Sequence, residues 1–300
     1  MIIIPVEASS INSNKKGYEL IISFYYKIIS CKNNDKVIVL DFKNVSWIDA
    51  NITAIIGAIF QILEYNGFQI TISNLNNEIS NIFNRNGFYY IGRYHPSSVD
   101  DTVITYYQFS RNQHDFFLDY VEKEILSKTC FPLCSEVLRQ EITSNLFELY
   151  GNAVTHGKAY NIFTCGQHYP QKDPARLDFT IVDIGNTFLK NINEYNQLKN
   201  TPMFSNGYDA IEWATKERNS TKTDGPGGLG LSLLLDFIKA NKGKIQIISD
   251  NGYWDSSIKK YQTIAYKFPG AIINIEFNVD ESNEIYLLKR ENHVLIQNIF

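Results

Sequence analysis

The sequence predicts an α/β protein in two domains, and three observations lead there. A chain of 300 residues exceeds the usual size of one domain, about 100 to 200 residues. Between Val37 and Gly87 short apolar strand runs alternate with helical spacings across short joints. Beyond residue 105 the pattern changes to longer elements, so the domains are expected at 1–105 and 106–300. Hydrophobic residues at 44% and charged residues at 20% give a chain able to bury both cores. A net charge of −4 disfavours a nucleic-acid partner, because phosphate-backbone binding needs a basic surface.

The elements follow in order. Val37-Ile38-Val39-Leu40-Asp41-Phe42 is a β-branched run of buried-strand type. Ile52, Ile55, Ile56, Ile59, Phe60 and Leu63 recur at helical spacing, and Gly67 stands as the stop. Asp49 sits where an N-cap would accept an orphan N–H. Phe68 to Ile72 alternates as a strand, and Ile79, Ile82 and Phe83 mark a second helix closing at Gly87. Such units put parallel strands on right-handed crossovers.

The stretch Val37 to Gly87, with Leu40-Asp41-Phe42-Lys43-Asn44-Val45-Ser46-Trp47-Ile48-Asp49 leading into an apolar helix, resembles a STAS domain, the fold of anti-anti-sigma factors. Phosphorylatable members carry Asp-Ser-Ser/Thr-Gly at the helix start. Here the residues are Asp49-Ala50-Asn51-Ile52, and alanine has no hydroxyl to accept phosphate. What the resemblance then implies is an interaction surface.

Ser97 to Thr105 is polar and reads as an exposed boundary loop. Phe116, Phe117, Tyr120, Val121 and Ile125 have helical spacing, and Pro132 interrupts the chain before a long helix from Ser135 toward His156. On that helix Glu148, Asn152 and His156 are each four residues apart, about 40° of drift per step, so they share one face and can meet one ligand. An alternating strand, Leu177 to Val182, delivers Asp183 at its end, with Gly185 allowing a flat ligand near the backbone. Gly225-Pro226-Gly227-Gly228-Leu229-Gly230-Leu231 opens an apolar helix, and glycine-rich backbone at a helix N-terminus is a phosphate site.

This order of motifs resembles the Bergerat-fold ATPases, which include histidine kinases, anti-sigma-factor serine kinases, heat-shock chaperones and mismatch-repair ATPases. The resemblance covers about Ser135 to Phe277 and implies an α/β sandwich that binds ATP and Mg²⁺. By it Asn152 ligates the metal, Glu148 acts as general base or orients the attacking group, and His156 contacts phosphate or ribose. Asp183 accepts from the adenine amino group, and Gly185 with Gly225, Gly227, Gly228, Leu229, Gly230 and Leu231 completes the nucleotide site. The lid would run from Phe188 to Asp224, offering Lys216, Arg218 and Lys222. Two positions depart from the pattern: Thr187 replaces the second glycine of Asp-x-Gly-x-Gly, and Ala271 stands where a Thr is common.

Rival patterns fail on context. Glu141 and Asn145 share the spacing, but Leu149 follows them. Gly225-x-Gly227-x-x-Gly230 fits a dinucleotide fingerprint, yet no strand pattern precedes it. Cys130 and Cys134 lack a second ligand pair for zinc. With Cys31 and Cys165 they read as four reduced thiols. The longest apolar stretch, Ile48 to Leu63, is too short and polar to span a bilayer, and Met1 to Pro5 lacks a signal sequence's basic start, so a cytoplasmic protein is expected.

The expected function is an ATP–Mg²⁺ regulatory switch that hydrolyses ATP or phosphorylates a partner. The alternative is an adaptor that binds nucleotide without turnover. The expected partners are ATP or ADP, a protein met through the STAS-like domain or the tail Glu281 to Phe300, and a second copy of the chain.

Overall fold

The computed structural model describes residues 1–31, 36–90, 93–217, 219–221, 230–258, 260–279 and 285–287. The chain opens with β1 (Ile2–Pro5), β2 (Ser10–Ile11) and α1 (Lys15–Ile29), a helix additional to those read from the sequence. Asn14 starts α1 by accepting from Gly17 N at 3.0 Å. There follow β3 (Val37–Asp41), β4 (Trp47–Ile48), α2 (Ile52–Tyr65), β5 (Gln69–Ser73) and α3 (Asn77–Arg85). β1, β3 and β5 form a parallel sheet in that order, and β2 pairs with β4. The apolar stripe of α2, Ile52, Ile55, Ile56, Ile59 and Leu63, is buried as its spacing requires. Gly67 and Gly87 both take φ +81°, a conformation that side-chain-bearing residues resist, and so end α2 and the turn after α3.

The second part contains β6 (Val103–Ser110), α4 (His114–Val121) running on through a π-helical turn at Glu122–Leu126, and α5 (Glu136–Thr155). Then come β7 (Asn161–Tyr169), β8 (Arg176–Ile184), α6 (Phe188–Leu198), α7 (Gly207–Ala214), α8 (Gly230–Ala240), β9 (Lys244–Asp255) and β10 (Thr263–Asn278). The sheet order is β6-β7-β8-β10-β9, with every neighbouring pair antiparallel.

Side chains alternate across a strand, so this sheet has two faces to cover. Leu177, Phe179 and Ile181 of β8 and Ile273, Ile275 and Phe277 of β10 join a core with α4, α5 and α8. On the other face Val182 and Ile272 share a core with α1 and α2, which also pack on the small parallel sheet. The molecule is therefore four layers deep. The two parts expected at 1–105 and 106–300 are joined by that common core, and β6 begins at Val103.

Two expectations are corrected. Asp49 does not cap α2: the residue before the helix is Asn51, which makes no side-chain cap bond. The buried Asp49 carboxylate instead accepts from Ser13 N at 2.8 Å and Trp47 Nε1 at 2.9 Å, with Arg176 3.5 Å away. Ser97 to Thr105 is likewise not simply an exposed loop. Val103, Ile104 and Thr105 are buried strand, and the buried Glu124 gathers the polar groups by accepting from Ser97 N at 2.9 Å and Thr105 N at 3.1 Å. A charge far along the chain thus satisfies the local polarity.

Candidate functional site

α5 starts where Ser135 Oγ accepts from Leu138 N at 3.1 Å, three residues after Pro132. Its buried face, Leu138, Ile142, Leu146, Leu149 and Ala153, lies on the sheet. The adjoining stripe of Glu148, Asn152 and His156 opens into a cleft with about 840 Å³ of empty space, its solvent-filled mouth included. Glu141 and Asn145 do not line it.

The far wall of the cleft comes from the sheet. Asp183 lies at the end of β8, opposite Ala271 of β10 in register, and both line the cleft. Burial pushes the Asp183 carboxyl up to about 8, against the lowering effect of a backbone hydrogen bond from Ala271. Asp183 Oδ1 and Asn186 Nδ2 are buried with no hydrogen-bond partner among the described residues. Unsatisfied buried polar atoms are uncommon in folded proteins, and two on one cleft wall ask for a ligand.

Gly185 plays a different part from the one expected. It does not line the cleft; a side chain there would run into the Gly157 carbonyl oxygen. Asn186 N donates to that same oxygen at 2.6 Å, so the turn after β8 is clamped to the end of α5. A Cβ on Gly157 would in turn lie 3.0 Å from Asp183 Oδ1. Both glycines let two backbones close together and set the acid's position.

The chain over the cleft is helical. Phe188 and Ile192 of α6 and Trp213 of α7 contribute apolar surface, while Thr221 Oγ1 stands 3.3 Å from His156 Nδ1. Thr187 has a local reason to replace glycine, since its hydroxyl caps α6 by accepting from Lys190 N at 3.2 Å. Leu231 of α8 lines the cleft and Gly230 opens that helix, while Gly225, Gly227, Gly228 and Leu229 lie outside the described residues. Among the proposed lid cations, Lys216 is described and does not line the cleft. Arg218 and Lys222 lie outside the described residues.

None of the four cysteines is in a disulfide, and burial raises Cys130 to about 11 and Cys165 to about 12, which makes both poor nucleophiles. Among the described residues no three His, Cys, Asp or Glu side chains gather as a metal site, and no helix is long and apolar enough to cross a membrane. Asn186 escaped the sequence reading because an Asn after Asp-x-Gly reads as a turn residue; only the fold puts its amide on the cleft wall. No protein-family model matches the chain, and a search of curated proteins finds no significant similarity.

Proposed function

We propose that the cleft between α5, β8 and α8 binds ATP with Mg²⁺, and that the protein is a nucleotide-controlled switch built from a STAS-like part and a Bergerat-type ATPase part. The observation that carries this reading is convergence: Glu148, Asn152 and His156 of α5 meet Asp183 of β8 and Leu231 of α8 around one cleft. The residues also suit the ligand chemically. Asp183 Oδ1 is a buried acceptor with no partner among the described residues, which an exocyclic amino group would satisfy. With no cluster of three acidic or other metal-ligating side chains among the described residues, a hard cation would be held by the Asn152 amide oxygen and by oxygens the ligand brings. When bound, Mg²⁺ supplies charge stabilisation for phosphoryl transfer. Glu148, one turn before Asn152, would take the proton of the attacking water or hydroxyl.

A partner protein would not meet the turn at residues 49–51. Asp49, Ala50 and Asn51 are fully buried against the larger sheet, with Ala50 N donating to Tyr169 OH at 2.9 Å. In this reading the STAS-like part acts within its own chain, on the back of the strand that carries Asp183.

The test is titration of fluorescent ATP with and without Mg²⁺, followed by phosphate release. Asn152→Ala should remove the Mg²⁺-dependent part of binding. Glu148→Gln should bind like wild type while turnover falls by about 10² or more. Binding without phosphate release or transfer to a protein, in wild type as in Glu148→Gln, would make the chain a nucleotide-bound adaptor. Absence of binding by wild type would end the proposal.

A further inference from the structure

Asn186 holds an amide whose orientation the structure decides. Lys190 Nζ donates to Asn186 Oδ1 at 2.8 Å, and an ammonium can only donate, so the oxygen faces Lys190 and the NH₂ group faces the other way. That NH₂ has neither solvent contact nor a partner among the described residues, on a residue that lines the cleft. Its backbone is fixed through the 2.6 Å bond to Gly157 O, beside the residue whose missing side chain makes room for Asp183 Oδ1. Asp183 and Asn186, three residues apart and both anchored around Gly157, thus line the cleft together, and each has a buried atom, an acceptor on one and a donor on the other, with no partner among the described residues.

We infer that Asn186 is a second reader of the ligand's base, donating through Nδ2 to a purine ring nitrogen while Asp183 accepts from the amino group next to it. This rests on the adenine-nucleotide reading of the cleft and deepens it. Adenine carries such a donor–acceptor pair on two edges, the 6-amino group with N1 or with N7. On those two edges guanine has neither: its O6 would face the Asp183 carboxyl, and on one edge N1–H would meet the Asn186 donor, while its one such pair, the 2-amino group with N3, lies on the sugar edge beside the ribose. A donor with no access to water gains more from a ligand acceptor than a solvated one, because it starts unsatisfied. Lys190 is then a positioning residue, holding the amide so that the donor and not the carbonyl faces the base.

The test is calorimetric titration of the full-length protein with ATP, 1-deaza-ATP, 7-deaza-ATP and GTP, for wild type, Asn186→Ala and Lys190→Met. The expected result is that one deaza analogue binds wild type about tenfold more weakly than ATP, on the scale of one buried hydrogen bond. Asn186→Ala should lose about the same factor for ATP and show no further loss with that analogue. Lys190→Met, remote from the base, should lose about threefold for ATP by freeing the amide to rotate. ATP affinity unchanged in Asn186→Ala, or a deaza penalty that persists undiminished in it, would overturn the assignment while leaving the ATP site standing. Failure of wild type to bind any adenine nucleotide would overturn both.

Discussion

Asn51 Nδ2 donates to Asn274 Oδ1 at 2.8 Å, so the turn before α2 is bonded into the middle strands of the larger sheet. The same amide reaches Thr180 Oγ1 at 3.0 Å, and its carbonyl accepts from Ser13 Oγ at 2.8 Å. All four residues are buried. Asn51→Leu keeps the volume and strands those partners, at a cost of about 2 to 3 kcal/mol. Urea unfolding should show that loss in a single transition, with fluorescence and circular dichroism coinciding, because the two parts share a core. Two separated transitions in the wild type would refute the shared core.

A charge cluster with two fully buried acids, Asp49 and Asp178, lies beside that network. Arg176 stands 3.5 Å from Asp49, 3.3 Å from Asp178 and 3.5 Å from Glu276, and Lys244 is 3.1 Å from Glu276. Burial raises the Asp178 carboxyl well above its usual range although Arg176 pulls it down. Arg176→Met leaves three acids without their guanidinium and should destabilise by about 3 to 5 kcal/mol at neutral pH. Asp178→Asn mimics a protonated acid and should be neutral or stabilising. The sign follows from the raised folded-state pKa: stability is full below the unfolded value near 4 and declines as pH rises. Melting temperatures from pH 4 to 8 should therefore fall more steeply for wild type than for Asp178→Asn.

Asp183 sets function against stability in the same way. With its folded-state carboxyl near 8, stability is present below the unfolded pKa and is lost as pH climbs toward 8. Asp183→Asn should stabilise the ligand-free protein at pH 7 to 8 by an amount on the order of a few kcal/mol, and the gain should vanish below about pH 4. Thermal melts across that range check it. A variant less stable than wild type at pH 8 would contradict the buried, uncompensated carboxyl.

Gly185→Ala is a probe of backbone closeness. A methyl group there meets the Gly157 carbonyl, so the β8–α6 turn must move off α5. Stability should drop by about 1 to 3 kcal/mol, as overpacking does. Nucleotide affinity should fall with it, although Gly185 does not line the cleft.

Regular packing left clear marks in the sequence. α2 shows its buried stripe, β8 its alternation, and Glu148, Asn152 and His156 of α5 their common face. What stayed hidden depends on partners distant in the chain. Val103 to Thr105 looks like loop until Glu124, 19 residues beyond Thr105, takes its backbone N–H. Asp49 looks like a helix cap, and its partners Ser13 and Arg176 are visible only in the fold. Asn186 has no periodic signature, because its role depends on where Lys190 holds one amide oxygen.

The central claim is that Asp183 selects an adenine nucleotide in the cleft, and calorimetry of ATP and GTP binding with Mg²⁺ tests it most directly. Wild type should bind ATP and discriminate against GTP, and Asp183→Asn, folded by circular dichroism, should lose ATP binding by a factor of about 10² or more, as when a buried polar recognition pair is broken. Equal ATP affinity in wild type and Asp183→Asn would contradict the account.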